Sequence, residues 1–170
     1  MPMKRTGLRP PLIARYVGQT LESSAHMTSL LAPLASVVSA IFAALSGLHV
    51  YWALGGHRGL KVAIPEMDGK AVFRPGIAGT LVVALLLAVA ATLVLERAAI
   101  GPGIFPSTVN LWGAWGVATT LVGRAVGEFK YVGFFKRHRM TNFARWDTSL
   151  YSPLALVLGV GAGIVAWGGG

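Results

Sequence analysis

The chain has 170 residues, of which 54 % are hydrophobic and only 12 % are charged, and its formal net charge is +9. A soluble domain carries about 25 % charged residues, so this composition and a mean hydropathy of +0.63 indicate that lipid is the main solvent. The absence of cysteine excludes disulfides, thiolate catalysis and Cys-based metal or iron–sulfur sites.

Four apolar runs follow one another along the chain, and each has about the 20 residues that a spanning helix needs. They are too long and unbroken for the alternating strands of about 10 residues found in membrane barrels. The sequence therefore predicts an all-α integral membrane protein, a four-helix transmembrane bundle built from two helical hairpins. The third helix is expected to continue past Arg124 towards Phe135. The runs cover residues 28–54, 76–95, 104–123 and 150–167.

Residues 1–26 precede the first run and contain no apolar span. We interpret them as a disordered tail or a mis-assigned start, with Met27 as the natural first residue and 27–170 as the transmembrane domain. The first run is longer than the 7–15 apolar residues of a signal peptide, so we expect it to remain in the protein as a span.

Basic residues are concentrated in two of the connecting loops, 55–75 and 124–149, which together carry ten lysines and arginines. Basic loops stay in the cytoplasm, so both termini are predicted to be extracytoplasmic. This rule accounts for the positive charge without nucleic acid. The segment 130–139, basic with interleaved aromatics, is expected to lie on anionic inner-leaflet headgroups.

Small residues on the runs predict where the helices touch, because close packing in lipid depends on small side chains. Ser36, Ala40 and Ala44 are spaced four apart on the first helix. Gly159 and Gly163 form a small-xxx-small motif on the fourth. We expect this motif to pack within the chain rather than form a homodimer, although a homodimer or a membrane partner stays open.

Polar residues gather at the predicted cytoplasmic helix ends, and polar residues in spans are costly and often functional. Arg124 and Glu128 are four residues apart and can pair on one helix face. This pair is either structural or the core of an anion or headgroup site. The residues predicted at this depth are His49, Arg74, Arg124, Glu128, Arg145 and Asp147.

Three of these residues are candidates for chemistry: His49 as an acid/base, with Glu128 or Asp147 as its partner. The structural alternatives are a hydrogen-bonded histidine and a capping role for Asp147 or Thr148 at the fourth helix. No ligand spacing predicts a metal, and no motif predicts a cofactor. Aromatic residues flank the spans as an interface belt that can also line a ligand site: Tyr51, Trp52, Trp146 and Tyr151.

Three segments carry a distinctive pattern: 49–56 (His-Val-Tyr-Trp-Ala-Leu-Gly-Gly), 74–76 (Arg-Pro-Gly) and 143–154 (Phe-Ala-Arg-Trp-Asp-Thr-Ser-Leu-Tyr-Ser-Pro-Leu). With these segments the chain resembles a family of small bacterial membrane proteins known as domain of unknown function 3995. The resemblance covers about residues 30–166. It implies a four-span protein of the bacterial plasma membrane and brings no established activity.

Three functions remain open from the sequence. The first is a protein that binds a lipid or small amphiphile, or serves as a partner subunit, through the cytoplasmic polar cluster, whose ligand-binding candidates are Arg74, Arg124 and Arg145. The second is a membrane-embedded enzyme that acts on a lipid-soluble substrate through His49. The third is a small transporter, although the runs lack the mid-membrane charge or proline-broken pair typical of one.

Overall fold

The computed structural model describes residues 12–64, 66–67, 70–71, 76–128, 131–137 and 140–170. Within these ranges the fold is helical, apart from one pair of two-residue antiparallel strands. The elements in chain order are α1 (Leu12–Ala53), α2 (Leu60–Ala63), β1 (Glu66–Met67), β2 (Lys70–Ala71), α3 (Ile77–Arg97), α4 (Ser107–Val126), α5 (Asn142–Trp146), a π-helical turn (Asp147–Tyr151) and α6 (Ser152–Gly168).

Helices α1 and α3 form the first of two antiparallel pairs. Ser39 donates a hydrogen bond to the Ala91 carbonyl at 2.9 Å, and Ser46 donates one to the Ala84 carbonyl at 2.8 Å. The two serines are seven residues apart, as are the two acceptors, so the bonds recur every two helical turns along the contact. They fix the register of α1 against α3.

The face of α1 that packs into the bundle differs from the predicted one. Ser36, Ala40 and Ala44 are exposed, so the small-residue prediction was wrong for this helix. The buried face carries Leu31, Ala35, Val38 and Phe42, three of which are larger than the predicted contact residues. Spacing alone could not separate the two faces, because both the lipid side and the bundle side of a span are apolar.

Helices α4 and α6 form the second pair. A Cβ on Gly159 would lie 3.0 Å from the Val122 amide nitrogen and 3.1 Å from the Ala118 carbonyl oxygen, so the two backbones come close. Gly163 faces the Ala118 Cβ at 3.7 Å. The Gly159–Gly163 motif therefore packs against α4 of the same chain, as predicted.

The shared core lies where the two pairs meet, mainly between α1 and α6 and between α3 and α4. Its largest fully buried members are Phe42, Val94, Leu158 and Val165, and Ala35, Ala98 and Ala162 are buried among them. This arrangement matches the predicted association of two helical hairpins.

Three of the described helical segments are long and apolar enough to cross a membrane: Ser29–Ala53, Ile77–Arg97 and Asn142–Gly168. The protein is therefore a helical, multi-pass membrane protein. Helix α4 has the length of a span but a more polar composition, since it contains Asn110, three threonines and Arg124. The Asn110 side chain is buried and donates to the Leu93 carbonyl on α3 at 3.0 Å.

Several predicted helix boundaries were wrong. Helix α4 ends at Val126 rather than continuing towards Phe135, because Gly127 takes a left-handed φ of 92°. The last helical segment begins at Asn142 rather than near Leu150.

At the other end of the chain, α1 begins at Leu12, so residues 12–26, interpreted from the sequence as a tail, are helical in the structure. The choice between Met1 and Met27 as the natural start stays a prediction.

Candidate functional site

The Asp147 carboxylate is the centre of a polar cluster at one end of the bundle. Its side chain is fully buried and accepts four hydrogen bonds. Oδ1 accepts from Nη2 of Arg124 at 2.8 Å. Oδ2 accepts from Nζ of Lys136 at 2.8 Å, the Gly133 amide at 2.9 Å and the Ser152 hydroxyl at 3.1 Å. Hydrogen bonds to the charged form favour the ionised carboxylate against the cost of its burial.

Lys136 reaches the cluster because the chain turns back sharply after α4. Gly127 and Gly133 both have left-handed φ values, 92° and 90°. Their backbones touch: a Cβ on Gly133 would lie within 2.4 Å of the Gly127 Cα. The Phe134 amide then donates to the Ala125 carbonyl at 2.9 Å. Two glycines are needed here because any side chain would prevent this contact.

The ammonium group of Lys136 is almost completely buried, with 1 % of the residue exposed. Besides Asp147, it donates to the Gly133 carbonyl at 3.0 Å and to the Thr148 hydroxyl at 2.7 Å. A buried cation is tolerated only when it is paired and hydrogen-bonded in this way. Sequence reasoning missed Lys136, since nothing distinguishes it from the other basic residues of its loop.

The π-helical turn 147–151 directs Asp147 into the bundle. Pro153 lies two residues after Tyr151, the last residue of the turn. A proline has no amide proton and clashes with the carbonyl four residues earlier. The helix widens there, and the Ser152 amide donates to the Asp147 carbonyl five residues back. Single π turns occur often at functional sites.

The predicted capping role of Asp147 is wrong, because Asp147 lies inside a continuous helical segment. The cap is Thr141, whose hydroxyl accepts from the Ala144 amide at 3.0 Å.

The predicted Arg124–Glu128 pair is also absent. Glu128 lies beyond the end of α4 and is exposed, and its Oε1 accepts from the Tyr131 amide at 3.2 Å. Arg124 pairs instead with Asp147 through Nη2. Its Nη1 is buried and has no hydrogen-bond partner within the described part of the chain. The cluster thus holds two cations, Arg124 and Lys136, against one carboxylate.

Comparison with known proteins finds a family whose model covers most of this architecture. The model of a family described as "Protein of unknown function (DUF3995)" matches residues 42–162. The chain belongs to the DUF3995 family. The match confirms the resemblance seen in the sequence and spans from α1 to α6, including the cluster around Asp147. No curated protein and no solved structure matches the chain.

Within this DUF3995 protein, the first of the resembling segments forms the end of α1. His49 is half-buried, and its Nδ1–H donates to the Leu45 carbonyl of its own helix at 2.8 Å. Its ring meets Trp52 edge-on, with centroids 5.0 Å apart. The Trp52 indole donates to the Arg58 carbonyl at 2.8 Å. These contacts hold the chain as it leaves the helix, and none of them involves the Asp147 cluster.

The other predicted site residues lie around the cluster rather than in it. Arg145 and Trp146 are exposed on α5, and Tyr51 is exposed on α1. Tyr151 is half-buried, and its ring centroid lies 6.2 Å from that of Phe143. Arg74 lies outside the described residues. The described part of the chain contains no group of three or more His, Asp or Glu residues placed to hold a metal ion.

Proposed function

We propose that this protein crosses the plasma membrane four times and binds an anionic lipid or small amphiphile at the cytoplasmic end of its bundle. The observation that carries the proposal is the Arg124 side chain, whose Nη1 is buried and unpartnered among the described residues while Nη2 is held by Asp147. A buried donor without an acceptor is unfavourable, and an oxygen of a phosphate or carboxylate at Nη1 would satisfy it.

The charge balance of the cluster supports the same proposal. Asp147 compensates one of the two cations that it contacts, Arg124 and Lys136. The excess positive charge lies in a medium that screens charge less than water does. The exposed Arg145 nearby adds to the local positive potential. An anion is the ligand that this arrangement stabilises.

The four-span arrangement rests on the length and packing of α4. Its 20 residues extend about 30 Å, the thickness of the hydrocarbon core. The helix packs along α6, and its buried Asn110 is satisfied by α3. With α4 as a span, the basic loops 55–75 and 124–149 lie on one side, which the positive-inside rule assigns to the cytoplasm.

The enzymatic alternative would need His49 within hydrogen-bond reach of a carboxylate. Among the described contacts, His49 bonds its own helix, and the donors to Asp147 are other groups. The enzyme and transporter alternatives stay predictions, with no contact described above in their favour.

Native mass spectrometry of the protein released from nanodiscs made of bacterial lipid tests the proposal. We expect the wild type to retain an anionic amphiphile. Arg124→Gln is expected to lose it, because the cation is gone. Arg124→Lys should retain it weakly, because it keeps a charge beside Asp147 but has no second nitrogen.

The matched control is Arg137→Gln, which removes the same charge from an exposed position one residue after Lys136. Equal retention by the wild type and Arg124→Gln would refute the proposal, as would a wild type without any bound anion.

A further inference from the structure

An apolar groove of about 400 Å³ lies between α3 and α4, with Phe42 of α1 among the residues that line it. Along α3 the lining extends from Val83 to Leu93, and along α4 from Gly113 to Leu121. Ten residues of helix are about 15 Å, which is half of the hydrocarbon core. The groove therefore has the length of one membrane leaflet.

Helices α3 and α4 come into close contact near their connecting loop. Near their connecting loop, Asn110 donates to the Leu93 carbonyl, and a Cβ on Gly113 would lie 2.9 Å from the Leu93 side chain. One turn further along α4, a Cβ on Gly116 would meet no atom within 4 Å. The groove lining continues along α4 from Gly113 to Leu121, towards the end of the helix that carries Arg124.

Arg124 continues the row of residues that lines the groove on α4. Thr120 and Leu121 line it and precede Arg124 by four and three residues, the spacing of neighbours on one helix face. An apolar groove of leaflet length thus ends, within one helical turn, at an arginine with a buried nitrogen that has no hydrogen-bond partner among the described residues.

We propose that the groove between α3 and α4 binds an acyl chain, and that Arg124 binds the phosphate group of the same lipid. This inference rests on the proposed function and names its ligand as a phosphate-bearing lipid of the inner leaflet. The apolar lining suits the acyl chain, and the excess positive charge of the cluster suits the phosphate. The bound acyl chain positions the headgroup at Arg124, so one lipid uses both features.

Equilibrium binding of two probes to the purified protein in a neutral detergent tests the proposal. The probes are dodecyl phosphate and butyl phosphate, which share a headgroup and differ in chain length. Gly116→Leu places a large side chain in the groove without a clash at its Cβ. We expect it to weaken dodecyl phosphate binding by about tenfold or more, because several buried methylene groups lose their site, and to leave butyl phosphate binding unchanged.

Two further variants separate the groove from the anion site. Arg124→Gln should weaken the binding of both probes. Gly47→Leu is the matched control, since its Cβ also meets no atom within 4 Å and it lies outside the groove lining; we expect wild-type binding of both probes.

Three results would overturn the acyl-chain proposal: unchanged dodecyl phosphate binding by Gly116→Leu, equal weakening of both probes by that variant, or equal weakening of dodecyl phosphate binding by Gly47→Leu. If Arg124→Gln still weakens both probes, the anion site stands without the groove. If Arg124→Gln changes neither probe, the proposed function itself fails.

Discussion

The carboxylate of Asp147 contacts two cations at the end of the bundle, Arg124 and Lys136, which lie 2.8 Å from its two oxygens. Lys136 has almost no access to water. Removing one partner of a buried ion pair leaves the other charge without compensation, and this costs far more than the pair contributes when it is intact.

Replacing Asp147→Asn should therefore lower the free energy of unfolding by about 3–5 kcal/mol, the usual cost of breaking a buried pair. The measurement is reversible unfolding in mixed detergent micelles. Glu128→Gln is the control, since Glu128 is exposed and its loss should change stability by no more than about 0.5 kcal/mol. Equal stability of the two variants would show that Asp147 does not hold the cluster together.

Part of this cluster could be predicted from the sequence. Arg124 and Asp147 were both candidates because charges at the ends of spans are costly. Their pairing was not predictable from spacing, since the four-residue rule assumes that the helix continues through Glu128, and it stops at Gly127. Lys136 enters the cluster through a loop conformation that no local pattern specifies.

At the scale of elements, the turn after α4 depends on Gly127. A Cβ there would lie 1.9 Å from the Val132 carbonyl oxygen, and its φ of 92° is left-handed. We expect Gly127→Ala to destabilise the protein by more than the roughly 1–2 kcal/mol of left-handed strain alone, because the loop that carries Lys136 must also move.

The control for Gly127→Ala is Gly123→Ala, four residues earlier in α4. Its Cβ would meet no atom within 4 Å, and alanine favours a helix over glycine by about 1 kcal/mol. Unfolding in mixed micelles should thus rank Gly123→Ala at or above the wild type and Gly127→Ala well below it. The reverse order would contradict the structure of this turn.

The sequence predicted the helices well and the buried face of α1 poorly. Long apolar runs and the requirement for satisfied backbone groups are enough to predict helical spans. The buried face of α1, with Phe42 in place of Ala40, depends on which neighbours the helix meets. The last helical segment begins at Asn142 and is continuous from there because of the Thr141 cap and the π turn. Neither feature follows from hydropathy.

At the scale of the whole molecule, the proposed function depends on α4 crossing the bilayer. If it crosses, Ser107 and Glu128, which flank it, lie on opposite sides of the membrane. His57, in the other basic loop, then shares a side with Glu128. The Asp147 cluster would then lie at the cytoplasmic end of a four-span bundle, and the groove would extend from near that end across the middle of the bilayer.

Single-cysteine labelling tests this topology most directly, because the chain contains no cysteine and all three positions are exposed. A membrane-impermeant thiol reagent applied to spheroplasts should label Ser107→Cys at once. His57→Cys and Glu128→Cys should react only after the membrane is permeabilised. Labelling of Ser107→Cys and Glu128→Cys from the same side would contradict the four-span arrangement and the cytoplasmic binding site built on it.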